Sequence, residues 1–247
     1  MLYLYKEKGD ENKMYNILVC DDDKEIVNAI AIYLSKEGYN ILKAYNGKEA
    51  LKLIANNEIH LIILDIMMPE MDGMEVANEV RKTQSIPILM LSAKSEDYDK
   101  VAGLNNGADD YVTKPFNPIE LIARVNSQIR RYTRLGTIAD KEDKDFNVFK
   151  TGELIIKDDI KQVTVEGKEI KLTPTEYNIL KFLTKNKGKV YSIEQIYENV
   201  WEDEAYGADN IIAVHIRHIR EKIEINPKEP KYLKVIWGIG YKIEKID

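Results

Sequence analysis

A chain of 247 residues, 44% hydrophobic and 32% charged, has a globular composition and is long enough for one large domain or two ordinary ones. Its formal net charge of −6 provides no bulk basic field, so a DNA-binding face has to come from local clustering; residues 14–134 carry an acidic excess, whereas residues 150–247 balance. The single cysteine, Cys20, excludes an intramolecular disulfide, no apolar run reaches membrane-spanning length, and the first residues lack the apolar core of a signal peptide, so no membrane association and a cytoplasmic location are expected.

Residues 1–13 read as a short extension with no assigned function. Asn16–Cys20 is an apolar strand that ends in Asp21-Asp22-Asp23. Lys24–Glu37 has a helical apolar face (Ile26, Ile30, Tyr33, Leu34) closed by Gly38. A strand over Asn40–Ala44 and a helix over Gly47–Asn57 follow. His60-Leu61-Ile62-Ile63-Leu64-Asp65 is a continuous apolar run ending in one carboxylate, the pattern of a buried parallel strand; Pro69 and Met71-Asp72-Gly73 mark the loop that leaves it. The spacing then predicts a helix from Met74 to about Lys82 and a strand over Ile86–Leu91 ending at Ser92. A helix over Glu96–Leu104, a short strand over Asp110–Val112 ending in Thr113-Lys114-Pro115, and a helix over Pro118–Arg131 complete this half. Strict alternation of strands and helices predicts right-handed βαβ units and a five-stranded, doubly wound parallel sheet, an α/β fold.

In such a sheet all carboxyl ends lie on one edge, so Asp21, Asp22, Asp65, Ser92 and Lys114 are expected to converge. Three carboxylates in one place repel one another, and a hard divalent cation such as Mg²⁺ removes that cost. With Lys114 it would neutralise an incoming phosphoryl group; the Ser92 hydroxyl would bond a phosphoryl oxygen, and Asp65 would be the nucleophile of an acyl phosphate. Acidic loop clusters are common by themselves; five functional positions at successive strand ends are not. Phosphatases of the haloacid-dehalogenase type share the strand-end Asp, but they need a second Asp two residues later as general acid. Here that position is Met67, which favours a long-lived phospho-Asp65 over turnover, and the chain is expected not to be an enzyme.

On Asp21-Asp22, Leu64-Asp65-Ile66-Met67-Met68-Pro69, Ser92-Ala93 and Lys114-Pro115-Phe116, residues 14–131 resemble the receiver domain of two-component response regulators. The resemblance implies phosphorylation of Asp65 by a sensor histidine kinase, and Mg²⁺ held by Asp22, Asp65 and the Met67 backbone carbonyl with Asp21 through water. It also implies switch roles for Ser92 and Tyr111 and an essential lysine role for Lys114. In regulators of the OmpR/PhoB type, a face matching Lys100, Asp110, Glu120 and Arg124 forms a homodimer on phosphorylation. Lys100–Glu120 and Asp110–Arg124 fall at its cross-subunit salt bridges.

Leu135–Asn147 is polar and of mixed charge, a linker; the expected boundaries are 14–133, 134–148 and 149–247. Strands over Glu153–Ile156, Gln162–Val165 and Glu169–Leu172 precede Thr173-Pro174-Thr175-Glu176, a capping box with Pro at the first helical position. That helix runs to about Asn186. A second runs from Ser192 to about Val200, Trp201–Ala208 reads as a loop, and Asp209 caps a third through Ile223. Tyr232–Ile236 and Tyr241–Glu244 flank Trp237-Gly238-Ile239-Gly240 as a hairpin. Three helices and a hairpin make a winged helix-turn-helix DNA-binding domain. The third helix sets Ile212, Val214, Ile216, Ile219 and Ile223 against His215, Arg217, His218 and Arg220, an amphipathic helix suited to a DNA major groove. The His pair lacks further ligands for a metal site.

Residues 150–246 look like the OmpR/PhoB output domain on Leu172-Thr173-Pro174-Thr175-Glu176-Tyr177, Val214-His215-Ile216-Arg217 and Gly238-Ile239-Gly240-Tyr241. Asn210 and Trp237 stand where that family often has Arg. Short stretches in the third helix and the hairpin are similar to the vancomycin-resistance regulators. The implied function is a phosphorylation-activated transcription factor that binds tandem promoter half-sites, contacts RNA polymerase and controls resistance genes. A protein-binding winged helix is the competing reading.

Overall fold

The computed structural model describes residues 14–93, 107–136, 147–201 and 208–247. The helix expected over Glu96–Leu104, with Lys100, therefore lies outside the described residues, as do residues 1–13 and most of the expected linker. Five parallel strands, β1 (Asn16–Cys20), β2 (Asn40–Ala44), β3 (Leu61–Asp65), β4 (Ile88–Ala93) and β5 (Asp110–Lys114), form one sheet in the order β2-β1-β3-β4-β5. β3 is central and every residue in it is buried, which is why its run is apolar on both faces.

Helices α1 (Lys24–Lys36), α2 (Gly47–Asn56), α3 (Gly73–Thr83) and α4 (Pro118–Gly136) flank the sheet. α1 buries Val27, Ile30, Ala31 and Leu34, the i, i+3, i+4, i+7 stripe of an amphipathic helix, and packs with Leu121, Val125 and Ile129 of α4 against one face. α2 and α3 cover the other. Asp23, Asn46 and Asp72 accept backbone N–H bonds at the starts of α1, α2 and α3; α3 carries a full capping box with Glu75. α4 continues five residues beyond the Arg131 end expected from the pattern.

The second unit opens with an antiparallel sheet, β6 (Val148–Thr151), β7 (Leu154–Lys157), β8 (Gln162–Val165) and β9 (Lys168–Glu169). β6 was not anticipated, because its Val-Phe-Lys-Thr run directly follows the polar stretch read as linker. The strand expected over Glu169–Leu172 shrinks to the two residues of β9: Glu166 and Gly167 both take positive φ in a tight turn, and the chain leaves the sheet soon after. Helices α5 (Pro174–Lys185), α6 (Ile193–Trp201) and α7 (Ala208–Ile223) follow, then the hairpin β10 (Leu233–Ile236) and β11 (Gly240–Ile243). The Thr173–Glu176 capping box forms as expected. The base of the hairpin is held by Glu224, whose buried carboxylate accepts the backbone N–H groups of Lys231, Tyr232 and Leu233 at 2.7, 2.9 and 2.8 Å. Gly240 must be glycine: a Cβ there would lie 2.0 Å from the Tyr191 carbonyl oxygen.

Asp158, between β7 and β8, ties this sheet to α5. Its carboxylate accepts from Tyr177 Oη at 2.6 Å and from Lys161 and Lys181 at 2.7 and 2.6 Å. Burial alone would raise its pKa, but these three donors win and hold it at about 2 against 3.8 unperturbed. A depressed carboxylate pKa stabilises the fold above the unfolded value, and the contribution is lost as pH falls through the folded one. Asp158→Asn should therefore cost about 2 kcal/mol at neutral pH. The deficit should shrink between about pH 4 and pH 2, as read by denaturant unfolding at each pH. A constant deficit down to pH 2 would refute the ion-pair account.

Candidate functional site

The carboxyl ends of β1, β3, β4 and β5 meet at one edge of the parallel sheet. Asp21 follows β1 and is fully buried; Asp65 ends β3 and is buried; Asp22 is exposed. One carboxylate oxygen from each of the three lies within 4.8 Å of the others. Lys114, which ends β5, places its ammonium 2.6 Å from Asp21 Oδ2 and 2.7 Å from Asp65 Oδ1. Asp23 does not join them, because its side chain accepts from Glu25 and Ile26 as the cap of α1. The Asp21-Asp22-Asp23 run thus divides into two pocket acids and one helix cap.

One lysine against three carboxylates leaves the pocket under-neutralised. Burial raises the pKa of Asp65, and Asp21 and Asp22 push the same way against the pull of Lys114. Burial acts to lower the pKa of Lys114, but its bonds to Asp21 and Asp65 outweigh that and raise it. The hard oxygen donors, their mutual distance and the uncompensated charge fit a small divalent cation.

The loop after β3 is built around this pocket. Gly73 donates its N–H to the Ile66 carbonyl at 3.0 Å, and a Cβ on Gly73 would lie 2.1 Å from the Asp65 carbonyl oxygen, so only glycine lets α3 start so close to Asp65. Met68 turns inward, its sulfur 3.5 Å from Cys20 Sγ, and burial pushes that thiol up to about 12, an inert packing group. Met67 is 72% exposed, so its side chain stands away from the pocket. Ser92 is buried at the end of β4, and its hydroxyl has no hydrogen-bond partner among the described residues. Tyr111, on β5, is half-buried and packs against the core.

Of the residues expected at the dimer face, Asp110, Glu120 and Arg124 lie together on β5 and α4, while Lys100 lies outside the described residues. Arg124 Nη1 lies 3.0 and 3.1 Å from the two oxygens of Asp110 in the same chain, and its guanidinium also pairs with Glu120 at 3.1 Å. Within one chain Arg124 reaches both, because it sits one helical turn along α4 from Glu120 and directly over buried Asp110.

The residues expected to read DNA divide. Arg217 is on the open face of α7, its side chain 61% exposed and paired with Glu221 at 2.8 Å. Trp237 stands 88% exposed at the hairpin tip. Arg220 instead donates from Nε to the Leu233 carbonyl at 2.9 Å, bracing the hairpin. His218 is largely buried 3.9 Å from Glu176, and burial lowers its pKa. His215, expected on the open face, is buried: its Nε2 lies 3.1 Å from the Asp109 carbonyl oxygen, and its ring packs against Trp201. Asn210 belongs to α7, but its side chain lies outside the described residues.

Sequence reasoning missed Asp109, Ser127, Arg131 and Trp201. Asp109 is fully buried and bonds Arg81 at 2.7 Å and the Ile88 N–H at 2.9 Å. Trp201, read as the start of a loop, is the last residue of α6. The signal was present in the spacing, since Ile196, Tyr197, Val200 and Trp201 form one apolar stripe that extends through 201.

Residues 17–126 match the response regulator receiver domain, and residues 167–243 match the C-terminal domain of transcriptional regulatory proteins. The chain is 44% identical to the regulatory protein VanR of Enterococcus faecium, over 93% of this chain and 98% of that protein. It is 43% identical to VanRc of Enterococcus gallinarum over the same shares. A solved mutant of RitR superposes with a TM-score of 0.71 at 24% identity, covering 94% of this chain and 99% of that one, a likeness of fold. No helix among the described residues is long and apolar enough to cross a membrane. The acidic strand-end pocket, the capped helices with their hairpin and these likenesses together place the chain in the OmpR/PhoB type of response regulators, transcriptional regulators rather than enzymes.

Proposed function

We propose that the chain is switched by phosphorylation of Asp65 and reads promoter DNA with α7 and the hairpin. The observation that carries this is the pocket: Lys114 bridges Asp21 and Asp65, a third carboxylate lies alongside, and the buried Ser92 hydroxyl has no partner among the described residues. A carboxylate oxygen of Asp65 attacks the phosphorus of a phosphohistidine on a sensor kinase. The new P–O bond forms as the P–N bond breaks, and the imidazole leaves with its electron pair and takes up a proton. Lys114 and the Ser92 hydroxyl then hold phosphoryl oxygens. Mg²⁺ is the cation the donor set suits, with Asp21, Asp22, Asp65 and the Met67 carbonyl as its holders; when bound it neutralises phosphoryl charge. Met67 offers no acid for hydrolysis, so the phosphoryl group stays and acts as a signal.

Phosphate adds about −1.5 to −2 charge at Asp65. Ser92 and Tyr111 re-pack, the face containing Lys100, Asp110, Glu120 and Arg124 pairs with a second copy, and two output domains come together on tandem half-sites. Asn210, Arg217, Trp237 and, once uncovered, His215 are the DNA-facing residues; His218 and Arg220 support them from the helix flank. We assign residues 14–133 to the receiver, 134–148 to the linker and 149–247 to the output domain, and place the protein in the cytoplasm with RNA polymerase as a further partner. The likeness to VanR favours genes of vancomycin or cell-wall resistance as targets.

Incubation with Mg²⁺ and acetyl phosphate should give one hydroxylamine-labile phosphate per chain, mapped to Asp65 by mass spectrometry. Genome-wide mapping of bound DNA with and without the sensor kinase's signal then identifies the targets. Phosphate on another residue, or none, would end the proposal.

A further inference from the structure

The C-terminal hairpin ends in an apolar tip on a stiff stem. β10 and β11 pair from Leu233↔Ile243 to Ile236↔Gly240, which leaves Trp237-Gly238-Ile239 as the tip. The Ile239 N–H donates to the Ile236 carbonyl at 3.0 Å, and Gly238 takes φ +73°, as the third residue of a type II turn does. Trp237 and Ile239 are 88% and 61% exposed, and nothing lies within 4 Å of a Cβ built on Gly238. The stem is fixed at three places. Glu224 holds the backbone N–H groups of residues 231–233, Arg220 Nε donates to the Leu233 carbonyl, and Tyr191 and Tyr241 exchange two backbone bonds of 2.9 Å. A loose apolar tip would fold back onto the nearest surface; this one is held away from it.

We propose that Trp237, with Ile239 beside it, is an apolar wedge for duplex DNA. It enters the minor groove next to the major groove that α7 reads, stacks on a base and opens a pyrimidine–purine step there. The wedge rests on the reading of α7 and the hairpin as the DNA-binding elements, and it adds the means by which the hairpin selects sequence. Selection comes from the cost of deforming a step, not from a charge placed in the groove.

Three observations name DNA as the occupant. The tip is continuous with α7, because Arg220, which pins β10, lies three residues along that helix from exposed Arg217. Four residues of strand carry Trp237 about 13 Å beyond Leu233, and adjacent groove centres on B-DNA lie roughly 17 Å apart, half a helical turn. Lys234 and Lys242 stand directly opposite each other on the stem, although Lys242 also pairs with Glu244 at 3.1 Å. Like charges facing across two strands oppose the pairing, and a polyanion relieves them. An Arg at the tip would seek the negative potential of a narrow groove. An indole has no charge to offer there; it offers a flat ring, which stacks on any base. Unstacking costs least at TA and CA/TG steps, so an apolar side chain pressed into the groove favours those steps and kinks them. The fixed stem is what lets the tip press on the stack instead of bending away.

The test uses the full-length chain and duplexes that it selects from a random pool. The selected duplexes should carry a TA or CA/TG step at a fixed distance from the block whose selection depends on Arg217. In a Trp201→Phe chain Trp237 is the sole tryptophan. Its emission should be quenched by the selected duplex, because a stacked base accepts an electron from the excited indole. Energy transfer between the duplex ends should report a bend of about 20° or more. Trp237→Ala should lose the bend and the step preference and bind roughly tenfold more weakly. Trp237→Phe, which keeps a wedge, should retain most of each. Trp237→Arg should bind without the bend and with a salt slope steeper by about one. Thermal melting checks that each variant is folded. Tight binding with unquenched emission, and with bend and step preference intact in Trp237→Ala, would overturn the wedge and leave the DNA reading standing. Failure to select any duplex would remove the DNA reading and the wedge with it. Emission that shifts with protein concentration without DNA would make the tip a contact between copies, and would also overturn the wedge.

Discussion

Asp65→Asn should abolish the response of DNA binding to a phosphodonor. In the wild type, Mg²⁺ and acetyl phosphate are expected to tighten promoter binding by roughly 5- to 150-fold, the usual range for coupling between two sites in one chain. In the variant the affinity with and without the donor should coincide, because an amide nitrogen, its lone pair delocalised, does not take the phosphoryl group that a carboxylate accepts. The fold should survive. Asn is nearly isosteric with Asp, it removes one of three crowded negative charges, and Lys114 keeps Asp21 at 2.6 Å. The change in unfolding free energy is expected to stay within about 1 kcal/mol, because relief of a buried charge offsets the lost ion pair. Fluorescence anisotropy on a promoter fragment measures the effect, and an undiminished response in Asp65→Asn would remove Asp65 as the switch.

Arg217→Ala should cost roughly 1–3 kcal/mol on the specific site, a 5- to 150-fold loss, while binding to unrelated DNA falls much less. Arg217 is the exposed guanidinium on the open face of α7, and its fork matches the two acceptors on the major-groove edge of guanine. Its present partner, Glu221, is surface-exposed, so exchanging that pair for a base contact gives up at most about 1 kcal/mol and the fold is unaffected. Titrations at several salt concentrations separate the alternatives. A base-reading Arg217 leaves the slope of affinity against salt nearly unchanged, whereas a phosphate contact lowers the slope and weakens all sequences alike. Loss of non-specific affinity alone would reassign Arg217 to the backbone.

Most of the architecture was legible because it is encoded over short distances. A buried parallel strand announces itself as an apolar run, so Leu61–Asp65 could be located and its carboxylate placed at the sheet edge. Helix starts carry their own chemistry, and Thr173-Pro174-Thr175-Glu176 needs nothing beyond its four residues to cap α5. The convergence of Asp21, Asp22, Asp65, Ser92 and Lys114 followed from one topological rule about parallel strands. The errors have a single cause. Helical spacing shows which side chains of α7 lie opposite its apolar stripe, but His215 and Arg217 look alike by that measure. Only the packing of a receiver more than a hundred residues earlier buries the first and leaves the second in solvent. Asp110 and Arg124 likewise read as surface charges until Trp201 covers them. What the sequence by itself determined was the set of elements, their caps and the chemistry of the strand ends, because those depend on neighbours within a few residues or on a periodicity. Only the tertiary structure decided which polar faces meet water and which meet each other, because that depends on contacts between groups far apart in the chain.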